Sequence, residues 1–120
     1  MARILLAEDD KATRDLVKRA LEADGHQVEL TQDGTEALES ITARADAIDV
    51  LVSDVHMPGL DGIGLAAHAI ASRPGVRVLL MSGFAEELER ARALPSDRLA
   101  VIVKPFTLDQ IRQTVRDLLR

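Results

Sequence analysis

The chain has 120 residues, 47% hydrophobic and 29% charged, with a formal net charge of -5. That length predicts one domain over residues 1–120 with a real core, and the acidic balance disfavours a nucleic-acid backbone as partner, because basic patches grip phosphates. The lack of cysteine excludes a disulfide framework and Cys-based zinc or thiol chemistry, and two phenylalanines as the only aromatic residues are too few for base stacking.

Met1 leads almost directly into an apolar run without the pattern of a signal peptide. No run approaches the roughly 20 apolar residues that a membrane-spanning helix needs. A cytoplasmic protein without a membrane partner is therefore expected. Short apolar runs alternate with stretches of helical periodicity, which predicts an α/β fold with a parallel sheet and helices on both faces.

The spacing predicts strands over 3–7, 27–31, 49–53, 76–81 and 99–103. The first runs into Glu8-Asp9-Asp10. A helix follows over 11–24, with Ala12, Leu16, Val17, Ala20 and Leu21 on one face and Asp24-Gly25 as its stop. The second strand, Gln27-Val28-Glu29-Leu30-Thr31, alternates polar and apolar residues and reads as an edge strand. The second helix, over 34–45, has Asp33 as N-cap and Glu36 in the position of a capping box. The third strand runs into Asp54, and Met57-Pro58-Gly59 and Asp61-Gly62 supply the turn before a helix over 62–72. That helix stops short of Pro74, because the residue before a proline disfavours helix. The fourth strand ends at Ser82-Gly83. The fourth helix, over 85–94, offers only Leu88, Ala91 and Leu94 for burial, which places it toward the mobile end of the stability range. The fifth strand runs into Lys104-Pro105, and a last helix from Thr107 has Gln110 at the capping-box position and buries Leu108, Ile111, Val115 and Leu118.

In parallel sheets of this kind ligands bind at the carboxyl ends of the strands. Glu8, Asp9 and Asp54 would therefore meet there with Ser82 and Lys104. Three crowded carboxylates repel one another unless a cation neutralises them, and hard oxygen donors suit Mg²⁺. Lys104 can hold its ammonium over a carboxylate and then pair with a phosphoryl oxygen, while the Ser82 hydroxyl can donate to the same group. Taken singly, each residue has a plainer reading: an acidic turn, a helix cap (Asp10 above all), a solvated lysine or a Ser-Gly turn. Their joint order and spacing is the strong signal.

Through Glu8-Asp9, Asp54, Met57-Pro58, Asp61-Gly62, Ser82 and Lys104-Pro105, the whole chain resembles the receiver domain of two-component response regulators. The resemblance implies a flavodoxin-like (βα)5 fold with strand order 2-1-3-4-5. It implies Asp54 as phosphoacceptor, and Mg²⁺ held by Glu8 or Asp9, by Asp54 and by the backbone carbonyl of His56. Ser82 and Lys104 would contact the phosphoryl oxygens, and a cis peptide is expected at Lys104-Pro105. A histidine kinase or histidine phosphotransfer protein would supply the phosphoryl group. An effector protein would bind the face of the fourth helix, fifth strand and fifth helix, through Glu86, Glu89, Arg90, Arg112, Arg116 and Phe106. Such a protein is a signalling switch rather than an enzyme, beyond its own phosphorylation and dephosphorylation.

Two positions depart from the common pattern. Glu8 stands where many receivers have Asp, and Val101 stands where many carry a Tyr or Phe that swings inward on activation. No output domain follows, so a stand-alone receiver is expected. The Met-Ser-Gly-Phe and Lys-Pro-Phe segments are similar to the CpdR type of alphaproteobacteria, whose members act as adaptors for a ClpXP protease and are phosphorylated through a cell-cycle relay. A phosphate shuttle in a phosphorelay is the alternative. A Mg²⁺-dependent phosphohydrolase is disfavoured, because Val55-His56 follows Asp54 where that class has a second acid two residues on. His26 and His68 read as surface residues, and without a second histidine at ligand spacing zinc is not expected.

In receivers, the residues two after the phosphoacceptor and two after the Ser/Thr influence hydrolysis; here they are His56 and Phe84. A bulky Phe84 is expected to screen the attacking water. Phe84→Ala should then lose its phosphoryl group faster than wild type, and an equal or slower rate would count against that role.

Overall fold

The computed structural model describes residues 1–120. Strands and helices alternate as β1 (Arg3–Ala7), α1 (Lys11–Ala23), β2 (Gln27–Thr31), α2 (Gly34–Arg44), β3 (Val50–Asp54), α3 (Gly62–Ser72), β4 (Arg77–Ser82), α4 (Ala85–Arg92), β5 (Leu99–Val103) and α5 (Leu108–Leu118). A single 3-10 turn, Ala45–Ala47, joins α2 to β3. All strand pairs are parallel and the order is β2-β1-β3-β4-β5, the flavodoxin-like arrangement the resemblance implies. β2 lies at an edge, as its alternation predicts.

The apolar strands are covered on both faces. Leu5, Leu51, Val78 and Leu80 pack with residues of α2, α3 and α4. Their chain neighbours Leu6, Val52, Leu79 and Met81 pack with Val17 and Leu21 of α1 and Ile111 and Val115 of α5. Side chains alternate across a strand, so a continuous apolar run feeds both layers at once. Each fully buried Leu, Val or Ile stabilises the fold by about 1.5–3 kcal/mol.

Four helices begin at a side-chain cap. Asp10, Asp33, Asp61 and Thr107 accept hydrogen bonds from the backbone N–H of Thr13, Glu36, Gly64 and Gln110 respectively. The reciprocal capping box forms at Thr107–Gln110. At the start of α4 stands Phe84, which has no side-chain cap bond to give.

Three expectations change. His26 is buried rather than at the surface, because the chain leaving α1 turns beneath the start of β1: its Nδ1 accepts the Ala2 N–H at 3.1 Å, and its Nε2 is enclosed without a partner. That desolvation lowers its pKa. Leu16 and Leu108 are 48% and 38% exposed rather than buried, flanking a groove of about 420 Å³ between α1 and the Lys104–Leu108 segment. Finally, Arg112, Arg116 and Phe106 lie on the α1 side. Arg116 bonds Asp24 at 2.9 and 2.7 Å, Arg112 pairs with Asp109 on the same stripe of α5, and Phe106 lines the groove. With Ile111 and Val115 buried, the next residue along the helix falls about 100° round, beside α1.

Gly62 fixes how closely α3 approaches β3. A Cβ added there would lie 2.1 Å from the Asp54 carbonyl oxygen, a backbone atom that cannot yield. Gly75 has nothing within 4 Å of such a Cβ. Gly62→Ala is expected to cost about 2–4 kcal/mol in chemical denaturation, and Gly75→Ala less than about 0.5 kcal/mol. Equal effects would contradict the close approach.

Candidate functional site

The parallel register assembles the site. Ala7 pairs with Ser53, so Glu8 and Asp54 leave β1 and β3 side by side. Asp54 pairs with Met81, and Ser82 with Val103, which brings Lys104 in beyond β4. The Lys104 backbone N–H donates to the Ser82 carbonyl at 2.9 Å and sets the height of its side chain. Asp54 is the last residue of β3 rather than the first beyond it. The buried Ser53 hydroxyl donates to the Asp54 carbonyl at 2.8 Å. The Lys104–Pro105 peptide is cis.

Lys104 Nζ lies 3.0 Å from Asp54 Oδ2 and 3.3 Å from Glu8 Oε1. Asp54 is 6% exposed and Glu8 fully buried, whereas Asp9 is exposed. Carboxylate oxygens of Glu8, Asp9 and Asp54 lie within 4.8 Å of one another. The second Glu8 oxygen accepts the Asp10 N–H at 3.2 Å, and Arg14 holds the Glu8 carbonyl at 3.0 Å. Asp10 itself is occupied as the α1 cap, with Thr13 N–H at 2.9 Å and the Thr13 hydroxyl at 2.7 Å.

One ammonium cannot satisfy three carboxylates. Desolvation, followed by the Asp54 charge, pushes Glu8 up to about 7 against the opposing pull of Lys104. Desolvation also raises Asp54, although its hydrogen bond and ion pair with Lys104 work in the other direction. For Lys104, desolvation works against the charged form, but its bonds and ion pairs with Asp54 and Glu8 prevail and raise its pKa. A compact set of oxygen donors left short of positive charge, with one member open to solvent, fits a hard divalent cation that retains waters.

Ser82 is brought to the same end of the sheet, and its hydroxyl bonds Phe84 and Glu87 rather than Glu8, Asp9 or Asp54. At 2% exposed, its hydroxyl accepts the Phe84 N–H at 3.0 Å and donates to Glu87 Oε1 at 2.6 Å. The other Glu87 oxygen is 3.7 Å from Nδ1 of His56, whose side chain is otherwise 80% exposed. Glu87 is not among the site residues expected from the sequence; an acid in the first turn of a helix without a capping residue is the signal that points to it. Asp61 caps α3 and also accepts from Arg90 of α4 at 3.2 Å, so its carboxylate is engaged outside the acidic group. Val101 is half-buried against the α4 side of the core, and His68 is exposed on α3. No helix is long and apolar enough to cross a membrane.

Residues 4–116 match the model of the response regulator receiver domain family. The chain is 38% identical over 119 residues to the sensor kinase CckA of Brucella abortus, covering 98% of this chain and 12% of that protein. It is 36% identical over 118 residues to the response regulator MprA of Mycobacterium ulcerans, covering 98% of this chain and 50% of the relative. Among solved structures it is similar to the receiver domain of the hybrid histidine kinase CckA, with a TM-score of 0.83, 32% identity and coverage of 98% and 99% of the two chains. The chain thus spans half or less of the length of these curated relatives.

The raised Glu8 pKa has a thermodynamic sign. Glu8 binds its proton more tightly folded than unfolded, so that contribution is full below about pH 4.5 and is lost as pH rises through about 7. Glu8→Gln is therefore expected to stabilise the protein at pH 8 in chelator by about 1–3 kcal/mol. Mg²⁺ should raise the melting temperature of wild type and have little effect on the variant. A destabilised variant at pH 8 would contradict this account.

Proposed function

This chain belongs to the response regulator receiver domain family, and on that premise we propose that it is a signalling switch set by phosphorylation of Asp54. The observation that carries the reading is the Lys104 ammonium bridging Asp54 and Glu8 at 3.0 and 3.3 Å on the ends of buried strands. An ammonium already bonded to the attacking carboxylate is placed to follow the charge as it moves onto a phosphoryl group.

A phosphohistidine of a histidine kinase or histidine phosphotransfer protein presents its phosphorus in line with an Asp54 oxygen. The O–P bond forms as the P–N bond breaks, and the electron pair leaves on the imidazole nitrogen, which takes up a proton. Lys104 exchanges part of its contact with Asp54 for a phosphoryl oxygen, and the Ser82 hydroxyl donates to another. Glu8, Asp9, Asp54 and the His56 carbonyl are the groups that would hold Mg²⁺. Bound there, the cation supplies neutralisation of the carboxylates and of the phosphoryl oxygens. Positioning and charge stabilisation account for most of the chemistry in such transfers. The product is an acyl phosphate that water cleaves, with Phe84 screening the approach.

The groove of about 420 Å³ lined by Leu16, Pro105, Phe106 and Leu108 adjoins Lys104, which suits an apolar helix of the phosphodonor. The effector would read the α4–β5–α5 face. With Arg112, Arg116 and Phe106 turned toward α1, that face rests on Glu86, Glu89 and Arg90 of α4 and the exposed Val103 at the end of β5. In the finer reading the protein is a stand-alone cytoplasmic receiver of the CpdR type, an adaptor for a ClpXP protease within a cell-cycle relay. The similarity to a sensor kinase that carries a receiver of its own favours, as a second reading, a shuttle that passes the phosphoryl group to a further histidine protein.

Intact-protein mass after incubation with Mg²⁺ and a small phosphodonor tests the chemistry. Wild type should gain one phosphoryl group in Mg²⁺ and none in chelator, and Asp54→Asn should gain none. Lys104→Met should be phosphorylated at least tenfold more slowly. No gain by wild type, repeated with a histidine kinase as donor, would overturn the reading.

A further inference from the structure

The fourth helix is anchored by very little. Only Leu88 and Ala91 of α4 are buried, and no side chain caps its start. Three side-chain contacts remain: the exposed Arg90–Asp61 pair at 3.2 Å, the 3.7 Å approach of the exposed His56 to Glu87, and the 2.6 Å bond from the buried Ser82 hydroxyl to Glu87. Exposed pairs contribute little and are screened by salt. A bond from a buried hydroxyl to a carboxylate is of the stronger, charge-assisted kind.

The Ser82 hydroxyl carries one proton and so can donate to one group at a time. It gives that proton to Glu87 while accepting the Phe84 N–H. A phosphoryl group on Asp54 brings about -1.5 to -2 of charge and strong acceptor oxygens. Once the proton turns to the phosphoryl group, the Glu87 carboxylate loses its donor and faces a new anion. His56, 3.7 Å from Glu87, is mostly in solvent and is a weak replacement. The half-buried Val101 has no ring to swing into the space that Ser82 vacates.

We infer that Glu87 is the positioning residue that joins Ser82 to α4, holding the helix down in the unphosphorylated protein and releasing it when Ser82 turns to the phosphoryl group. The inference rests on Asp54 as the phosphoacceptor. It assigns to a carboxylate latch on α4 the coupling that an aromatic swing on β5 performs in many relatives.

Hydrogen exchange of the α4 amides, from Leu88 to Arg92, measures the latch, with the phosphorylated fraction of each sample read from intact mass. In wild type, Mg²⁺ with a small phosphodonor should speed this exchange roughly tenfold. Glu87→Ala should exchange roughly tenfold faster than wild type before any phosphodonor is added, with no further gain on phosphorylation. Glu87→Gln, whose carbonyl can still accept the Ser82 proton, should restore slow exchange in the unphosphorylated state, which a general loosening of α4 would not predict. Ser82→Ala combined with Glu87→Ala should equal either variant alone. The latch is overturned if unphosphorylated wild type and Glu87→Ala exchange alike, or if phosphorylation still speeds exchange by the same factor in Glu87→Ala. A wild type that takes up no phosphoryl group overturns the reading of Asp54, and release with it, whereas one that is phosphorylated with unchanged α4 exchange overturns the latch alone.

Discussion

The ion pair from Lys104 to Asp54 and Glu8 ties together the carboxyl ends of strands that come from distant parts of the chain. Lys104 follows β5, Asp54 ends β3 and Glu8 follows β1, so one ammonium spans most of the sheet's width. Removing the ammonium would leave two buried carboxylates with no positive partner, a situation that costs several kcal/mol in proteins. Keeping it leaves the site short of positive charge, because Asp9 joins the same group. Burial first, and then the Asp54 charge, push the Glu8 pKa up to about 7 in spite of Lys104. The site is held in a state that a cation and a phosphoryl group would each change.

The fold makes such a site possible by removing other acids from it. Asp10, Asp33 and Asp61 all lie near the carboxyl ends of strands, yet each accepts a backbone N–H at the start of a helix. A carboxylate at that position is favoured by both the hydrogen bond and the helix dipole. What remains is Glu8, Asp9 and Asp54. The close approach of Gly62 to the Asp54 carbonyl then sets α3 directly against the strand that carries Asp54.

Much of this was legible in the sequence because it depends on short-range pattern. Runs such as Leu79-Leu80-Met81 can only be buried on both faces, and the order of Asp54, Ser82 and Lys104 along parallel strands fixes that they end together. The failures all involve residues whose surroundings come from distant parts of the chain. Leu16 and Leu108 have the spacing of core residues, but each faces a groove rather than a neighbour. His26 looks like an ordinary turn residue until Ala2 is laid against it. Arg112 and Arg116 carry charge that suits an outer face, but the burial of Ile111 and Val115 rotates them toward Asp24 and α1. Glu87 sits among Glu86, Glu89 and Arg90, and only the position of Ser82 distinguishes it from them.

A switch needs one part that moves at small cost while the rest stays fixed. The two-state equilibrium can shift only by the difference in interaction between states, a few kcal/mol at most for one phosphoryl group. The helices α1, α2, α3 and α5 each begin at a side-chain cap, and three of them bury at least three residues, so moving them would cost more than that. Helix α4, with eight residues, two of them buried and no cap, lies within the range. Its first turn reaches the hydroxyl that a phosphoryl group on Asp54 would claim. The element that is weakest in the sequence is thus the one that a phosphoryl group on Asp54 would be able to displace, and it packs beside β5, whose Val101 offers no aromatic ring.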